Sequence, residues 1–194
     1  MNFMKYYYRL TLHLLILFLL SGCLYNSPLS SPSSQIDTWL LGQWITQDKS
    51  GKIFEAVITP VDNTHYHVTF SDKDKNDTPP WEFEGWISRV GNLKFLTLQS
   101  LSRNPRFHNK YLFLHYELVK SETDKEKDVI ARKIRISEPQ LPASDLYLDS
   151  YHLRQEITKK VNQGTLLLPD KAPLGFSIWT RTGGEITWPK QRIF

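Results

Sequence analysis

Between residues 40 and 137 the chain repeats one pattern: short runs of alternating apolar and polar side chains, separated by polar turns. KIFEAVITP (52–60) sets Phe54, Ala56 and Ile58 on one side and Glu55 on the other. THYHVTFS (64–71) alternates Tyr66, Val68 and Phe70 with His65, His67 and Thr69. WEFEGWISRV (81–90) places Trp81, Phe83 and Ile87 opposite Glu82 and Glu84. Successive strand side chains point to opposite faces, so a period of two marks a strand with one buried face. LLGQWIT (40–46), LKFLTLQ (93–99), KYLFLHYELV (110–119) and VIARKIRIS (129–137) complete seven such runs. The connections are the DKSGK turn, the proline-bearing SDKDKNDTPP, a tight Gly91-Asn92 hairpin, SLSRNPRFHN and the charged tip SETDKEKD. Short polar loops between strands predict an antiparallel meander, closed or nearly closed into a barrel.

The last third changes register. Leu146-Tyr147-Leu148 offers one more extended piece, and Asp149-Ser150 then supplies a helix N-cap. Leu153, Ile157 and Val161 recur every four residues, Glu156 and Lys160 form an i,i+4 pair, and Gly164 suits the C-terminal cap. FSIWT–RTGG–EITWP predicts a terminal hairpin turning at Gly183-Gly184. The expected fold is therefore mainly β, an antiparallel barrel with one C-terminal α-helix and a terminal hairpin.

The first 22 residues belong to a different physics. Lys5 and Arg9 precede TLHLLILFLL, and small residues Ser21-Gly22 follow. A basic start, a short apolar run and small residues describe a secretory signal peptide. The strong apolar core is about half the ~20 residues that a membrane-spanning helix needs. Cys23, the single cysteine, comes next. Leu20-Ser21-Gly22-Cys23 resembles the lipobox of bacterial lipoproteins. The resemblance implies cleavage between Gly22 and Cys23, diacylglycerol transfer to the Cys23 sulfur, and acylation of the new N-terminus with a fatty chain such as palmitate. Two or more chains anchor a protein stably, at ~0.8 kcal/mol per buried methylene. Leu24 stands where an aspartate would signal retention at the inner membrane, so the resemblance implies the outer membrane, on its periplasmic face. LYNSPLSSPSSQID, nearly uncharged and rich in Ser and Pro, predicts a flexible tether over 23–37. The folded domain is then expected over 38–194.

Leu41-Gly42-Gln43-Trp44 opens the first strand. Its Gly-x-Trp resembles the first motif of the lipocalins and the wider calycin group, and the run through ISRVGNLKFLTL is similar to small bacterial lipoproteins with a lipocalin-like domain of unassigned function. The resemblance implies that the Gly lets the chain bend tightly and that the Trp closes the barrel's base. It also implies a late arginine beside the Trp, for which Arg135, Arg181 and Arg192 all stand as candidates. Trp44, Phe54, Ile58, Tyr66, Phe70, Phe83 and Ile87 form the expected interior. An eight-strand barrel is just wide enough to fill with side chains or to hold one small ligand. Both readings stay open: a filled platform, or a carrier of a small apolar ligand.

Charge removes one class of function. Of 24 Lys and Arg side chains, Lys5 and Arg9 leave with the signal, so 22 basic groups face 20 acidic ones. So small an excess gives a nucleic-acid role no electrostatic support. With Cys23 acylated no disulfide can form, and stability must come from the core. His65-x-His67 supplies two imidazoles on one strand face, but zinc sites take three or four protein ligands. His108, His115 and His152 lie in other elements. No metal and no cofactor is therefore expected. Glu82 and Glu84 fit a solvated outer face, and no nucleophile elbow, phosphate loop or HExxH is present. Trp86, Trp179 and Trp188 invite two readings: interface aromatics, or residues covered by the helix and hairpin. The sequence as a whole predicts a lipid-anchored, non-enzymatic accessory or scaffold protein of the envelope. Its expected partners are the bilayer and an envelope protein.

Overall fold

The computed structural model describes residues 24–48, 50–75, 78–119, 133–137, 139, 141, 147–166 and 178–182. Eight strands close into one barrel: β1 (Gly42–Gln47), β2 (Ile53–Pro60), β3 (Tyr66–Asp72), β4 (Trp81–Val90), β5 (Leu93–Ser100), β6 (Tyr111–Leu118), β7 (Lys133–Ser137) and β8 (Ile178–Arg181). Every neighbouring pair is antiparallel, and β8 closes the ring by pairing with both β7 and β1. The fold is a lipocalin-like up-and-down barrel. The eighth strand comes from the segment expected to begin the terminal hairpin; Gly183, Gly184 and the hairpin's second arm lie outside the described residues. Tyr147 and Leu148 add no strand to the sheet.

Antiparallel strands place successive turns at opposite ends. One end, called the base here, carries Gly42, the 61–65 turn and the Gly91-Asn92 hairpin. The other, the rim, carries the turns at 48–52, 73–80 and 101–110. A 3-10 turn, Thr38–Leu40, crosses the base before β1 begins.

Two apolar clusters hold the molecule together, one on each side of the sheet. The inner one contains Leu40, Leu41, Trp44, Ile58, Tyr66, Val68, Ile87, Leu96, Leu98, Tyr116, Ile134 and Trp179. The outer one joins Val90, Phe95 and Phe113 to Leu153, Ile157 and Leu166, and also to Tyr25 and Leu29. The single described α-helix, α1 (Ser150–Asn162), lies over this outer cluster through Leu153 and Ile157. Asp149 caps it by accepting from the His152 amide at 2.9 Å. Gly164, at φ +67, ends it with its amide on the Val161 carbonyl. The exposed ion pair on this helix runs from Glu156 to Lys159 at 3.5 Å rather than to Lys160, one turn position away from expectation. Its spacing of three is as favourable as four on a helix surface.

The segment expected to be a tether is instead docked. Over the described positions 24–37, Tyr25 and Leu29 are only 3% and 0% exposed. Tyr25 and Tyr111 exchange backbone hydrogen bonds of 2.7 and 2.9 Å, and the Tyr25 ring stacks on Phe113 at 4.6 Å. The Leu29 carbonyl accepts from Arg154 Nη1 at 3.2 Å, and the Ser30 carbonyl from Trp86 Nε1 at 2.7 Å. Ser30 Oγ continues the chain of contacts to Ser88 Oγ at 2.9 Å, itself 2.8 Å from Thr97 Oγ1. Polar composition argued for solvation, but two buried apolar side chains and satisfied carbonyls make this segment a strap running from rim to base. Burying side chains of that size stabilises by about 1.5–3 kcal/mol each.

Candidate functional site

Period two on each strand brings the expected interior residues together. Register pairs Trp44 with Ala56, Ala56 with Phe70, and Val68 with Phe83, so one face of each strand converges on the barrel axis. Trp44, Ile58, Tyr66 and Ile87 belong to the inner cluster, with Phe54, Phe70 and Phe83 packed against it. Towards the rim the aromatic rings stack: Phe54 on Phe70 at 5.6 Å, Phe70 on Trp81 at 5.6 Å, and Phe70 beside Trp179 at 5.8 Å. Trp81 itself reaches the opening and is 61% exposed. These rings line the rim half of the barrel interior.

The base is shut by a three-residue device. Gly42 adopts φ +127, and a Cβ there would sit 2.8 Å from Arg181 Nε. Only glycine both tolerates that backbone and admits the guanidinium. Arg181 then lies over the Trp44 ring, its Cζ 6.0 Å from the centroid, in cation–π geometry. The Trp44 indole donates to the Leu40 carbonyl at 2.8 Å, which fastens the 3-10 turn beneath it. Of the three candidate arginines, Arg181 is therefore the one beside Trp44. Arg135 points outward, 3.8 Å from Glu117, and Arg192 lies outside the described residues. Burial draws the Arg181 pKa below its ordinary value.

Next to this device the strap ends in a polar latch, which sequence reasoning did not anticipate. The Asp37 carboxylate accepts from Lys94 Nζ at 3.1 Å, Tyr116 Oη at 3.1 Å and the Trp39 amide at 3.2 Å. The Tyr66 hydroxyl accepts from the Asp37 amide and donates to its carbonyl at 3.2 Å. A cleft of about 320 Å³ opens here among Asp37, Trp39, Arg89, Lys94 and Tyr116. Burial pushes the Tyr66 and Tyr116 phenols well above the usual range, and the Asp37 charge adds to both. Both phenols stay neutral and act as hydrogen-bond donors, so the cluster fastens the strap over the base. Lys94 and Tyr116 face inward near the ends of β5 and β6, and no local pattern links them to residue 37.

The remaining candidates stand apart from one another. His65 lies in the 61–65 turn, its Nδ1 2.9 Å from an Asp62 carboxylate oxygen. Hydrogen bonds from Thr64, chiefly its amide, and from His65 hold Asp62 down to about 2. His67 sits on the outer face, 3.8 Å from Glu82, and Glu84 shares that face. Among the described residues no group of three or more metal-ligating side chains converges. Trp86 and Trp179 are each 4% exposed, Trp86 beneath the strap and Trp179 inside the barrel, so neither is a surface aromatic. Gly22, Cys23 and Trp188 lie outside the described residues. A second groove, shallow and open, lies along α1, bordered by Tyr151, Arg154, Gln155, Thr158 and Lys159.

In comparisons with known proteins, no family model, no curated protein and no solved structure matches the chain.

Proposed function

We propose that this chain is an envelope lipoprotein, held by acylated Cys23 to the periplasmic face of the outer membrane, and that it works as a non-enzymatic accessory or scaffold. The observation that carries the scaffold role is the apolar and aromatic cluster inside the barrel. Trp44, Tyr66, Phe70 and Trp179 meet across its axis, and a plugged eight-strand barrel is a rigid platform for a partner. Support for a partner surface comes from α1 and the residues before it: Tyr151, 65% exposed, borders the open groove, and Tyr147, just ahead of the helix, is 80% exposed. Tyrosine and arginine are enriched at protein interfaces.

Replacing Cys23 with serine tests the anchor. The expected outcome is a chain no longer cut after Gly22 and no longer sedimenting with envelopes; unchanged processing and pelleting would refute it. Crosslinking in intact envelopes through a photoreactive residue at Tyr151 tests the scaffold. A discrete adduct is expected, and its absence in cells that make normal amounts of the protein counts against the role.

The second reading, a carrier of a small apolar ligand, rests on the eight-strand barrel itself, whose width suits one small molecule. Native mass spectrometry of the purified protein separates the two. A bound lipid mass supports the carrier, and a bare protein mass supports the platform.

A further inference from the structure

The strap decides which part of the barrel a lipid anchor would bring to the bilayer. Tyr25 is pinned at the rim by its paired bonds to Tyr111, and Asn26 accepts from Lys110 Nζ in the adjoining loop. Cys23 is two residues earlier, so covalent reach alone keeps its Cα within ~7 Å of the Tyr25 Cα. An acyl chain there cannot hold the barrel away from the membrane. It must draw the rim against it.

The rim has the chemistry for that position. Leu101 and Phe107, in the β5–β6 loop, are 43% and 39% exposed, and Trp81 beside them is 61% exposed. The Leu101 amide donates to the Glu82 carbonyl at 3.0 Å, which sets Leu101 beside the rim end of β4 next to Trp81, and Phe107 lies in the same β5–β6 loop. Arg103, Arg106 and Lys110 stand among them, and residues 100–116 include no Asp or Glu. Arg103 and Arg106 form no ion pair with any described residue. On the strands alongside, Asp72 and Glu55 are held by Lys52 at 2.6 Å and Lys73 at 2.7 Å. The loop is also pre-shaped. Asn104 Oδ1 accepts the Arg106 amide at 3.0 Å, the Asn104 carbonyl accepts the Phe107 and His108 amides at 2.9 Å, and Gln99 Nε2 donates to Asn109 Oδ1 at 3.0 Å.

We infer that the rim is a membrane-seating surface: Trp81, Leu101 and Phe107 enter the interfacial zone of the bilayer while Arg103 and Arg106 bind anionic headgroups. Tryptophan favours the headgroup level, and each basic side chain near an anionic surface adds attraction. The seated molecule stands with its closed base and the Asp37 latch facing away from the membrane, and the α1 groove lies to the side. The inference rests on acylation of Cys23 and deepens the proposed role by fixing the platform's orientation.

Acylation leaves the chain without a free thiol, so one introduced cysteine can be labelled alone. Spin labels at Phe107→Cys and, at the base, at Asn92→Cys would be compared on the acylated protein. The vesicles would be of phosphatidylglycerol-rich lipid and of pure phosphatidylcholine. With phosphatidylglycerol the Phe107 label should become several-fold less accessible to a water-soluble nickel chelate, while the Asn92 label stays open. Replacing Arg103 and Arg106 together with serine should shift the seated-to-unseated ratio by roughly 30-fold. A Phe107 label as open as that at Asn92 on protein that floats with vesicles would overturn the seating and leave the anchor standing. Protein that carries no acyl group and fails to float overturns both. Protection of Phe107 equally strong without vesicles would mean a protein partner covers the rim, and would also overturn the seating.

Discussion

The outer wall of the barrel has two halves that differ in what they face. On β1 to β3 the outward side chains Gln43, Glu55, His67 and Thr69 are exposed or half-buried, and their contacts are surface ion pairs such as Lys73 with Glu55 at 2.7 Å. On β4 to β6 the outward side chains Trp86, Ser88, Val90, Phe95, Thr97, Phe113 and His115 are buried, and only the strand ends, such as Glu82 and Glu117, reach solvent. The inward faces of both halves share one core. A sheet with one wet face needs only the barrel to be stable, whereas the β4–β6 wall is buried on both faces and depends on the strap and α1. The small residues Ser88 and Thr97 explain how the strap comes so close, since the Ser88 hydroxyl meets Ser30 and the Thr97 hydroxyl meets Ser88 where larger side chains would hold the strap off.

The comparison breaks first at the residue that both halves need. Trp44 is fully buried at the base and supports Arg181 and Leu40 together. Trp44→Ala should cost about 3–5 kcal/mol in urea unfolding, in line with large-to-small changes of a buried Trp. A loss within the range of surface substitutions would mean that the base is not closed by this ring. Leu29→Ala probes the covered wall alone. It should cost about 2–4 kcal/mol, because a side chain with no exposure leaves a cavity beneath α1. A flexible tether would give no effect, so this single variant distinguishes a strap from a leash.

How much of this was readable in advance follows from which contacts are local. Phe54, Ile58, Tyr66, Phe70, Phe83 and Ile87 announce a shared face because alternation is a property of each strand alone. The choice among Arg135, Arg181 and Arg192 was not readable, since it depends on β1 meeting β8 through Trp44 and Arg181, far apart in the chain. The strap is hidden from a reading of composition for a related reason. Ser and Pro dominate residues 26–34, and the docking signal is confined to Tyr25 and Leu29. The hint lay elsewhere, in LKFLTL and YLFLHY, runs too continuously apolar for a strand with one wet face. Something had to cover them, and composition alone does not say which segment does.

Acid and base attack the two regions from opposite sides of neutrality. Tyr66 and Tyr116 belong to the inner core, and burial raises both phenols above their ordinary value of 10.0. The unfolded chain therefore loses these protons first, and the stability they contribute is complete below about pH 10 and falls as pH rises beyond it. Phenolate absorbance and loss of tertiary structure should appear together above that point; in Tyr116→Phe the loss should come at higher pH. A smaller effect, about 1 kcal/mol, is expected for Trp86→Phe, which deletes the indole bond to the Ser30 carbonyl and keeps most of the ring contacts. Thermal unfolding would measure it, and a change of zero would mean that the strap is held by Tyr25 and Leu29 alone.

The smallest effect belongs to His115 on the covered wall. Its side chain is 5% exposed, edge-on to Phe95 at 5.7 Å, with Glu117 at 3.9 Å the nearest carboxylate. Burial lowers its pKa below 6.5, and Glu117 offsets part of that. The unfolded chain takes up the proton first as pH falls, so stability is full above about 6.5, declines through the window down to the lowered folded value, and then levels off. His115→Gln should flatten that part of the stability–pH curve and leave the alkaline limb set by the two tyrosines in place. If the acid slope survives the substitution, the covered wall admits water at His115, and the difference between the two halves of the barrel is smaller than its geometry indicates.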